Sequence, residues 1–600
     1  MLEIRRIFER RLLLLQLIGL LLPLLLAARL LDLQWIQHRG LLEKAERNRV
    51  NIVPIPPTRG EIVDRHGRGL AVNHISWRLT LIPERVERLE ATLKRLQGML
   101  GWSDARLRRL RARIRRARPD RPVLLADKLD WSQAAPIAAR LYAMPGVDVR
   151  VGTHRFYPFG ALTSHLIGYL SLAGPEDVRA GVLPTEKVGR SGVERLFEDR
   201  LHGKPGAQYE EVDAHGRRVD VFKRIPPVMG QRVRLALDAR LQQAAAKALG
   251  DRAGAVVALD VNTGEVLVLL SQPGFAPNRF ITGLETEQWQ AWVNDPRHPL
   301  LNRALQAAFP PASTFKLLVG LAGLRRGAPL ATASTQCEGF LELADRKLRC
   351  WKRTGHGRVN LHKAIVESCD VYFYELGDQL GMPAISEEAA RWGFGQHTGI
   401  RLGPEATGTV PGPRKRAGRR WRHWFRGETM ITAIGQGEVT ATPLQLARFA
   451  AAIANGGRLL APNLLADAPP RVTRALDVNP AQLAIIQRAM RDVVAAPHGT
   501  AHAALRGLPW PAAGKTGTAQ VIAKAQDVKG SDAKTLSYLH RDHAWFVGFA
   551  PVDKPRIAFA VFVEHGGHGG SAAAPVAAAL LRAAAESAQA QPLAARERAR

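Results

Sequence analysis

Hydrophobic and polar positions divide this chain into stretches of different character. An uncharged, Leu-rich run from Leu12 to Ala28 comes first, at the short end of the roughly 17–25 residues that span a bilayer. Arg29 can snorkel, which extends the predicted span to 12–33. Arg5, Arg6, Arg10 and Arg11 precede it, so residues 1–11 are expected to stay cytoplasmic and everything beyond to lie outside. A cleaved signal peptide is the rival, but Leu26-Ala27-Ala28 is a poor cleavage site, and an uncleaved anchor is preferred. Gln34 to Asn51, rich in Arg and Glu, reads as a juxtamembrane helix. From Pro54 to Arg232, short β-like runs such as Trp77–Ile82 and Val147–Val151 alternate with basic helices, and a boundary falls near Met229-Gly230. Two apolar runs then flank Asn262-Thr263-Gly264, a hairpin signal. Helical patterns follow around 313–326, 361–380 and 440–455, and strands return at Thr516–Ile522, Ala544–Phe549 and Ile557–Val563. Strands at both ends with helices between predict an α+β domain over 233–586, after an elongated domain over 34–232. The Ala-, Gln- and Arg-rich stretch 587–600 reads as disordered. No internal repeat is visible.

Composition changes this picture little. With 600 residues and 46% apolar content the chain can bury more than one core. The formal charge of +31 reads as an Arg-biased composition or as attraction to anionic lipid or an acidic polymer. Nucleic acid is not the expected partner. The densest basic stretch, Arg106 to Arg118, interleaves Arg with Leu and Ile like an amphipathic helix and has no aromatic stacking platform.

Three motifs carry candidate chemistry. Ser313-Thr314-Phe315-Lys316 follows Pro310-Pro311 and opens an apolar, helix-like run. Three residues apart, Ser313 and Lys316 share one helix face, which sets an amine beside a hydroxyl nucleophile. Ser368-Cys369-Asp370 comes second and Lys515-Thr516-Gly517-Thr518 third. On a strand Lys515 and Gly517 face the same side, and glycine leaves room there for an approaching helix.

In this order the motifs resemble those of the acyl-serine transferases, penicillin-binding proteins and serine β-lactamases. Pro57-Thr58-Arg59-Gly60-Glu61-Ile62-Val63-Asp64-Arg65-His66-Gly67, Tyr169, Gly192-Val193-Glu194 and the Ile434-Gly435-Gln436-Gly437-Glu438 segment narrow the resemblance to class B penicillin-binding proteins across nearly the whole chain. The resemblance implies a penicillin-binding/serine β-lactamase-like transpeptidase domain, an antiparallel sheet flanked by helices. A transmembrane helix and a non-catalytic pedestal for partners would precede it. It implies that Ser313 attacks a peptide ending in D-Ala-D-Ala, with Lys316 as favoured base. Ser368 would bridge Lys316 and Lys515 and pass the proton to the departing D-Ala. Backbone N–H groups of Ser313 and Thr518 would form the oxyanion hole, and Asp370, Thr516, Gly517 and Thr518 would lie on the substrate side. Asp370 stands where many relatives carry Asn, and an ionised Asp only accepts hydrogen bonds. That feature resembles the elongation-type enzymes, with a division role as the alternative. The implied setting is the bacterial inner membrane, with the bulk of the chain periplasmic. The implied partners are stem peptides, β-lactams, other elongation-complex proteins and a multi-spanning glycosyltransferase of the shape, elongation, division and sporulation group. No catalytic cofactor is implied. A D,D-carboxypeptidase or β-lactamase-type hydrolase, or a scaffold that only activates a glycosyltransferase, are the competing functions.

Three cysteines fall in one neighbourhood, as Cys337-x12-Cys350-x5-His356-x12-Cys369. A Cys3His set is a complete tetrahedral structural zinc site. A Cys337–Cys350 disulfide fits an oxidising compartment, and free thiols are the third reading. His565 and His568, set among glycines, read as a turn after the strand that ends near Val563.

Overall fold

The computed structural model describes residues 2–42, 50–119, 121–212, 218–344, 346–412, 415–417, 420–422, 424–521 and 537–597. Leu2–Leu31 is one helix, continued by a π-helical turn at Asp32–Ile36. Its stretch Ile7–Ile36 is long and apolar enough to cross a membrane, and none of it is buried against the rest of the chain. The expected juxtamembrane helix is cut short. Residues 43–49 lie outside the described residues, and Val50-Asn51 already belong to the strand Val50–Ile55. That strand pairs antiparallel with Gly206–Val212, and ladder pairing outweighs local helix propensity there.

The pedestal is built on the long strand Gly69–Leu81, which pairs with Val123–Leu129 on one side and Val147–Phe156 along its length. The basic stretch forms the helix Asp104–Arg116, capped by the Ser103 hydroxyl, and it buries Leu107, Leu110 and Ile114. That stripe is the amphipathic pattern expected of it, and the arginines cover the outer face. The Arg59 segment, which the sequence marks as a class B feature, closes a buried ion-pair cluster. Glu194, fully buried, accepts from Arg155 Nε at 2.8 Å, Arg59 Nε at 2.8 Å and the Tyr157 hydroxyl at 3.2 Å. Burial pushes the Glu194 carboxyl upward, but Arg155 and Arg59 overcome this and hold it below its ordinary value. The same segment reaches the second domain. Arg65 N–H donates to Leu237 O at 3.0 Å, and its guanidinium lies 3.3 Å from Glu265.

The second domain is built on a five-stranded sheet in the order Val266–Gln272, Gly254–Asp260, Ile557–Val563, His543–Ala550, Ala513–Ala519. Every neighbouring pair is antiparallel. His543–Ala550 and Ile557–Val563 are buried at every position, so both faces of the sheet are covered. Ala239–Leu249 and Ala574–Glu597 pack together against it, and Pro443–Ala454 crosses its central strands. Lys316–Leu324 and Pro443–Ile453 are buried on all sides, as befits helices in the middle of a large domain.

Two boundaries differ from the sequence reading. The pattern over 361–380 is two helices, Leu361–Val366 and a second that starts at Asp370, broken at Ser368, whose φ is +57°; a further break follows at Gly381, φ +70°, before the chain runs on as helix to Arg391. A left-handed residue cannot continue a right-handed helix. The terminal helix Ala574–Glu597 runs past 587, where alanine favours helix whatever the overall composition; residues 598–600 lie outside the described residues. Ile522, the expected end of the third-motif strand, also lies outside them.

Candidate active site

Ser313 sits half-buried in the 3-10 turn Ala312–Thr314, which runs directly into the helix Lys316–Arg326. The turn packs against the strand Ala513–Ala519. Ala312 takes a left-handed φ of +50°, and its N–H donates to Gly435 O at 2.8 Å. A Cβ at position 435 would come within 2.0 Å of Ala312 O, so only glycine lets that loop reach the Ser313 turn.

From this turn the helix carries Lys316 into a fully buried position. Its Nζ donates to Asp370 Oδ1 at 2.7 Å and to Ser368 O at 2.9 Å, and lies 3.4 Å from Ser368 Oγ. Lys515, also fully buried, donates to Ser368 Oγ at 2.9 Å and to Thr516 O at 3.0 Å. The Ser368 hydroxyl therefore lies between two amines that come from residues 316 and 515. Burial, then the charge of Lys316, hold Lys515 well below the ordinary lysine range, against the opposing pull of Asp370.

The resemblance sets Asp370 with the substrate-side residues. In the structure both its carboxylate oxygens are engaged by the protein: Oδ1 accepts from Lys316, and Oδ2 from the Trp351 N–H at 2.9 Å. Burial pushes its carboxyl upward, and Lys316 opposes the shift. The third-motif strand brings the remaining residues together. Gly517 leaves the gap expected of it, since a Cβ there would stand 3.1 Å from Pro311 O, Thr314 Cγ2 and Trp545 Cβ alike. The Thr516 hydroxyl pairs with that of Thr500 at 2.7 Å. Thr518 Oγ1 accepts from Gly569 N–H at 3.3 Å, and its carbonyl accepts from Gln436 Nε2 at 3.0 Å. Sequence reasoning did not single out Thr500, Trp351 or Gln436. Gln436 lies inside a recognised motif; Thr500 and Trp351 carry no local signal.

Cys337, Cys350, His356 and Cys369 are all buried, and their ligand atoms lie within 4.8 Å of one another. Cys337 Sγ and Cys350 Sγ each stand 3.5 Å from His356 Nδ1. The three cysteines are free thiols, with no disulfide among them. Three soft sulfurs and one imidazole converging on one buried point fit tetrahedral zinc. The cluster is joined to the second motif, because Asp370 N–H donates to Cys350 Sγ at 3.4 Å. His565, at φ +51°, turns back so that its N–H donates to His543 Nδ1 at 3.0 Å.

The family model of the penicillin-binding protein transpeptidase domain matches residues 254–582, and that of the penicillin-binding protein dimerisation domain matches 54–235. The chain is 38% identical over 572 residues to the peptidoglycan D,D-transpeptidase MrdA of Acinetobacter baumannii, covering 92% of this chain and 84% of that one. The chain belongs to the class B penicillin-binding proteins. MrdA of Escherichia coli strain K12 is 34% identical over 584 residues, 94% of this chain and 92% of the other. Among solved class B penicillin-binding proteins, the complex between PBP2 and MreC from Helicobacter pylori aligns with a TM-score of 0.75 at 30% identity. It covers 90% of this chain and 98% of that one. Pseudomonas aeruginosa PBP2 in complex with WCK 5153 aligns with a TM-score of 0.66 at 32% identity, covering 89% and 96%.

Proposed function

We propose that this penicillin-binding protein is a membrane-anchored peptidoglycan D,D-transpeptidase that cross-links stem peptides through an acyl-serine on Ser313 during cell elongation. The observation that carries this reading is the convergence of two buried amines, Lys316 and Lys515, on the Ser368 hydroxyl beside the Ser313 turn.

In this mechanism Lys316, in its neutral form, takes the Ser313 hydroxyl proton while Oγ attacks the carbonyl carbon of the penultimate D-Ala. The oxyanion is met by the backbone N–H groups of Ser313 and Thr518; one such donor is worth about 2.7–4 kcal/mol. Ser368, bridging the two amines, hands a proton to the departing D-Ala nitrogen as the C–N bond breaks. The amine of a second stem peptide then attacks the ester, giving a proton to Lys316, which returns it to Ser313 Oγ as the C–O bond breaks. Thr516 and Thr518 receive the terminal carboxylate, with Thr500 fixing the Thr516 hydroxyl. Asp370 acts from behind: its carboxylate holds Lys316 in line and stabilises the ammonium that forms when Lys316 accepts the proton.

Cys337, Cys350, His356 and Cys369 are the residues that would hold a structural zinc ion. Bound there, zinc supplies no chemistry to the reaction and fixes the loop that carries Ser368 and Asp370. Metal analysis of the purified protein should return one zinc per chain, and chelation should lower its melting temperature. Zinc-free protein of unchanged stability would remove the site.

The pedestal is the surface for a multi-spanning glycosyltransferase and other elongation-complex proteins. Two solved relatives support this, one a PBP2–MreC complex and one a peptidoglycan synthase complex. The apolar helix Leu2–Leu31 anchors the chain in the bacterial inner membrane, with residues 1–11 cytoplasmic and the bulk of the chain periplasmic. A labelled penicillin tests the activity. Mass spectrometry should find a long-lived adduct on Ser313, absent from Ser313→Ala. Fast drug turnover without an adduct would assign the chain to the β-lactamase-type hydrolases instead.

A further inference from the structure

The imidazole of His356 has ring-nitrogen partners on one side only. Cys337 Sγ and Cys350 Sγ each stand 3.5 Å from Nδ1. Zinc bonds of about 2.3 Å to sulfur and about 2.0–2.1 Å to nitrogen, set at the tetrahedral angle, hold the two ligand atoms about 3.6 Å apart. The ring therefore already presents Nδ1 as the ligand atom. Nε2 then carries the hydrogen, and it is buried without a hydrogen-bond partner among the described residues. His356 as a whole is only 5% exposed. An acceptor stands close by. Glu367 Oε2 lies 4.0 Å from Nε2, on a side chain 15% exposed, and Glu367 makes no other ion pair among the described residues.

The surroundings hold these two residues to each other. Glu367 caps the C-terminal end of the helix Leu361–Val366. A carboxylate does nothing for the helix there, because that end of the dipole is already negative. One turn earlier, Lys363 Nζ donates to His356 O at 2.7 Å. The helix thus grips the backbone of His356 through residue 363 and faces its ring through residue 367, four positions on along the same side. From the other direction Trp351, next to Cys350, donates Nε1–H to Glu367 O at 3.0 Å. Its ring meets that of His356 edge-on, with centroids 5.7 Å apart.

We propose that Glu367 is the outer partner of the metal site: with zinc on Nδ1, its carboxylate accepts the Nε2–H of His356. The inference rests on the zinc reading given above. A carboxylate on the far nitrogen of a ligating histidine fixes the ring and makes it a stronger base toward the metal. Closing 4.0 Å to a hydrogen bond of about 2.9 Å takes a shift of about 1 Å, within reach of a side chain with three free torsions. Glu367 is a positioning residue and touches neither metal nor substrate. It is bonded directly to Ser368, whose hydroxyl lies between Lys316 and Lys515, so the contact that steadies the metal also steadies the second motif.

The test is the zinc affinity of the full chain in detergent, measured by competition with a chromogenic chelator. Glu367→Ala and Glu367→Met should both bind zinc about 10–100-fold more weakly than the natural protein. Methionine fills the same space without an acceptor, and it decides the matter if the alanine variant fails to fold. Melting temperatures taken with and without zinc separate this role from a merely structural one. The variants should melt below the natural protein when zinc is bound and together with it once zinc is chelated. A deficit of equal size in both states would overturn the proposal. So would zinc affinity unchanged in both variants while the natural protein binds the ion. A natural protein that binds no zinc would instead overturn the zinc reading, and this inference with it.

Discussion

Lys515 shows how much a single buried amine can set. The unfolded chain keeps this proton up to about pH 10.4, while the folded chain gives it up at lower pH because burial and Lys316 disfavour the charge. Between those two values the unfolded state binds more protons, so stability rises with pH and is lost as pH falls towards the folded value. Lys515→Met removes that dependence. Urea unfolding at pH 7 and pH 9.5 should show the natural protein gaining more from the alkaline shift than the variant; equal gains would exclude Lys515 as the source. Its neighbour Gly517 is a steric device. Alanine there must push the strand away from Pro311, Thr314 and Trp545, at a cost of about 1–3 kcal/mol. Penicillin acylation of Gly517→Ala should be at least tenfold slower by stopped-flow. At this scale Ser313, Lys316, Ser368 and Lys515 were legible because spacing and order mark them. The engagement of Asp370 with Lys316 was not, since nothing local tells a carboxylate which way to turn.

Among the elements, legibility follows how local the cause is. The hairpin between Gly254–Asp260 and Val266–Gln272 shows in the sequence because its turn residues are contiguous: Asp260 Oδ1 accepts from the N–H groups of Asn262 and Thr263, and Gly264 takes φ +75°. The break at Ser368 is invisible, because the bonds that hold it come from residues 316 and 515. The helix Pro443–Ala454 lies between these cases. Its first turn is closed by a reciprocal pair in which Gln445 N–H donates to Thr442 Oγ1 at 3.2 Å and Thr442 N–H to Gln445 Oε1 at 2.9 Å. Threonine, proline and glutamine in that order announce it. Thr442→Ala should cost about 1 kcal/mol, read as a lower denaturant midpoint with the slope unchanged.

Across the whole molecule, the pedestal sets a buried ion-pair cluster beside an apolar core of its own around Leu79, Leu93, Leu110 and Ile137. Glu194→Gln leaves Arg59 and Arg155 facing a neutral amide in a buried site. Removing one partner of a buried pair costs about 3–5 kcal/mol, so this variant should melt earlier and be cleaved first within the pedestal on limited proteolysis. The apolar N-terminal helix and the mixed helix-and-strand character of the transpeptidase domain were legible from patterning. The links between pedestal and transpeptidase domain, Arg65 to Glu265 and Lys187 to Ile281, join residues too far apart in sequence for any pattern to reveal. The strand order has a last consequence, for biosynthesis. Gly254–Asp260 is flanked in the sheet by Val266–Gln272 and by Ile557–Val563, so the ladder cannot close until nearly the entire polypeptide has been translated. A nascent chain halted before residue 557 lacks the strand that joins Gly254–Asp260 to His543–Ala550 and, through it, to Ala513–Ala519, on which the Ser313 turn packs. Acylation of nascent chains stalled before and after residue 557 by a labelled penicillin should therefore appear only in the longer set.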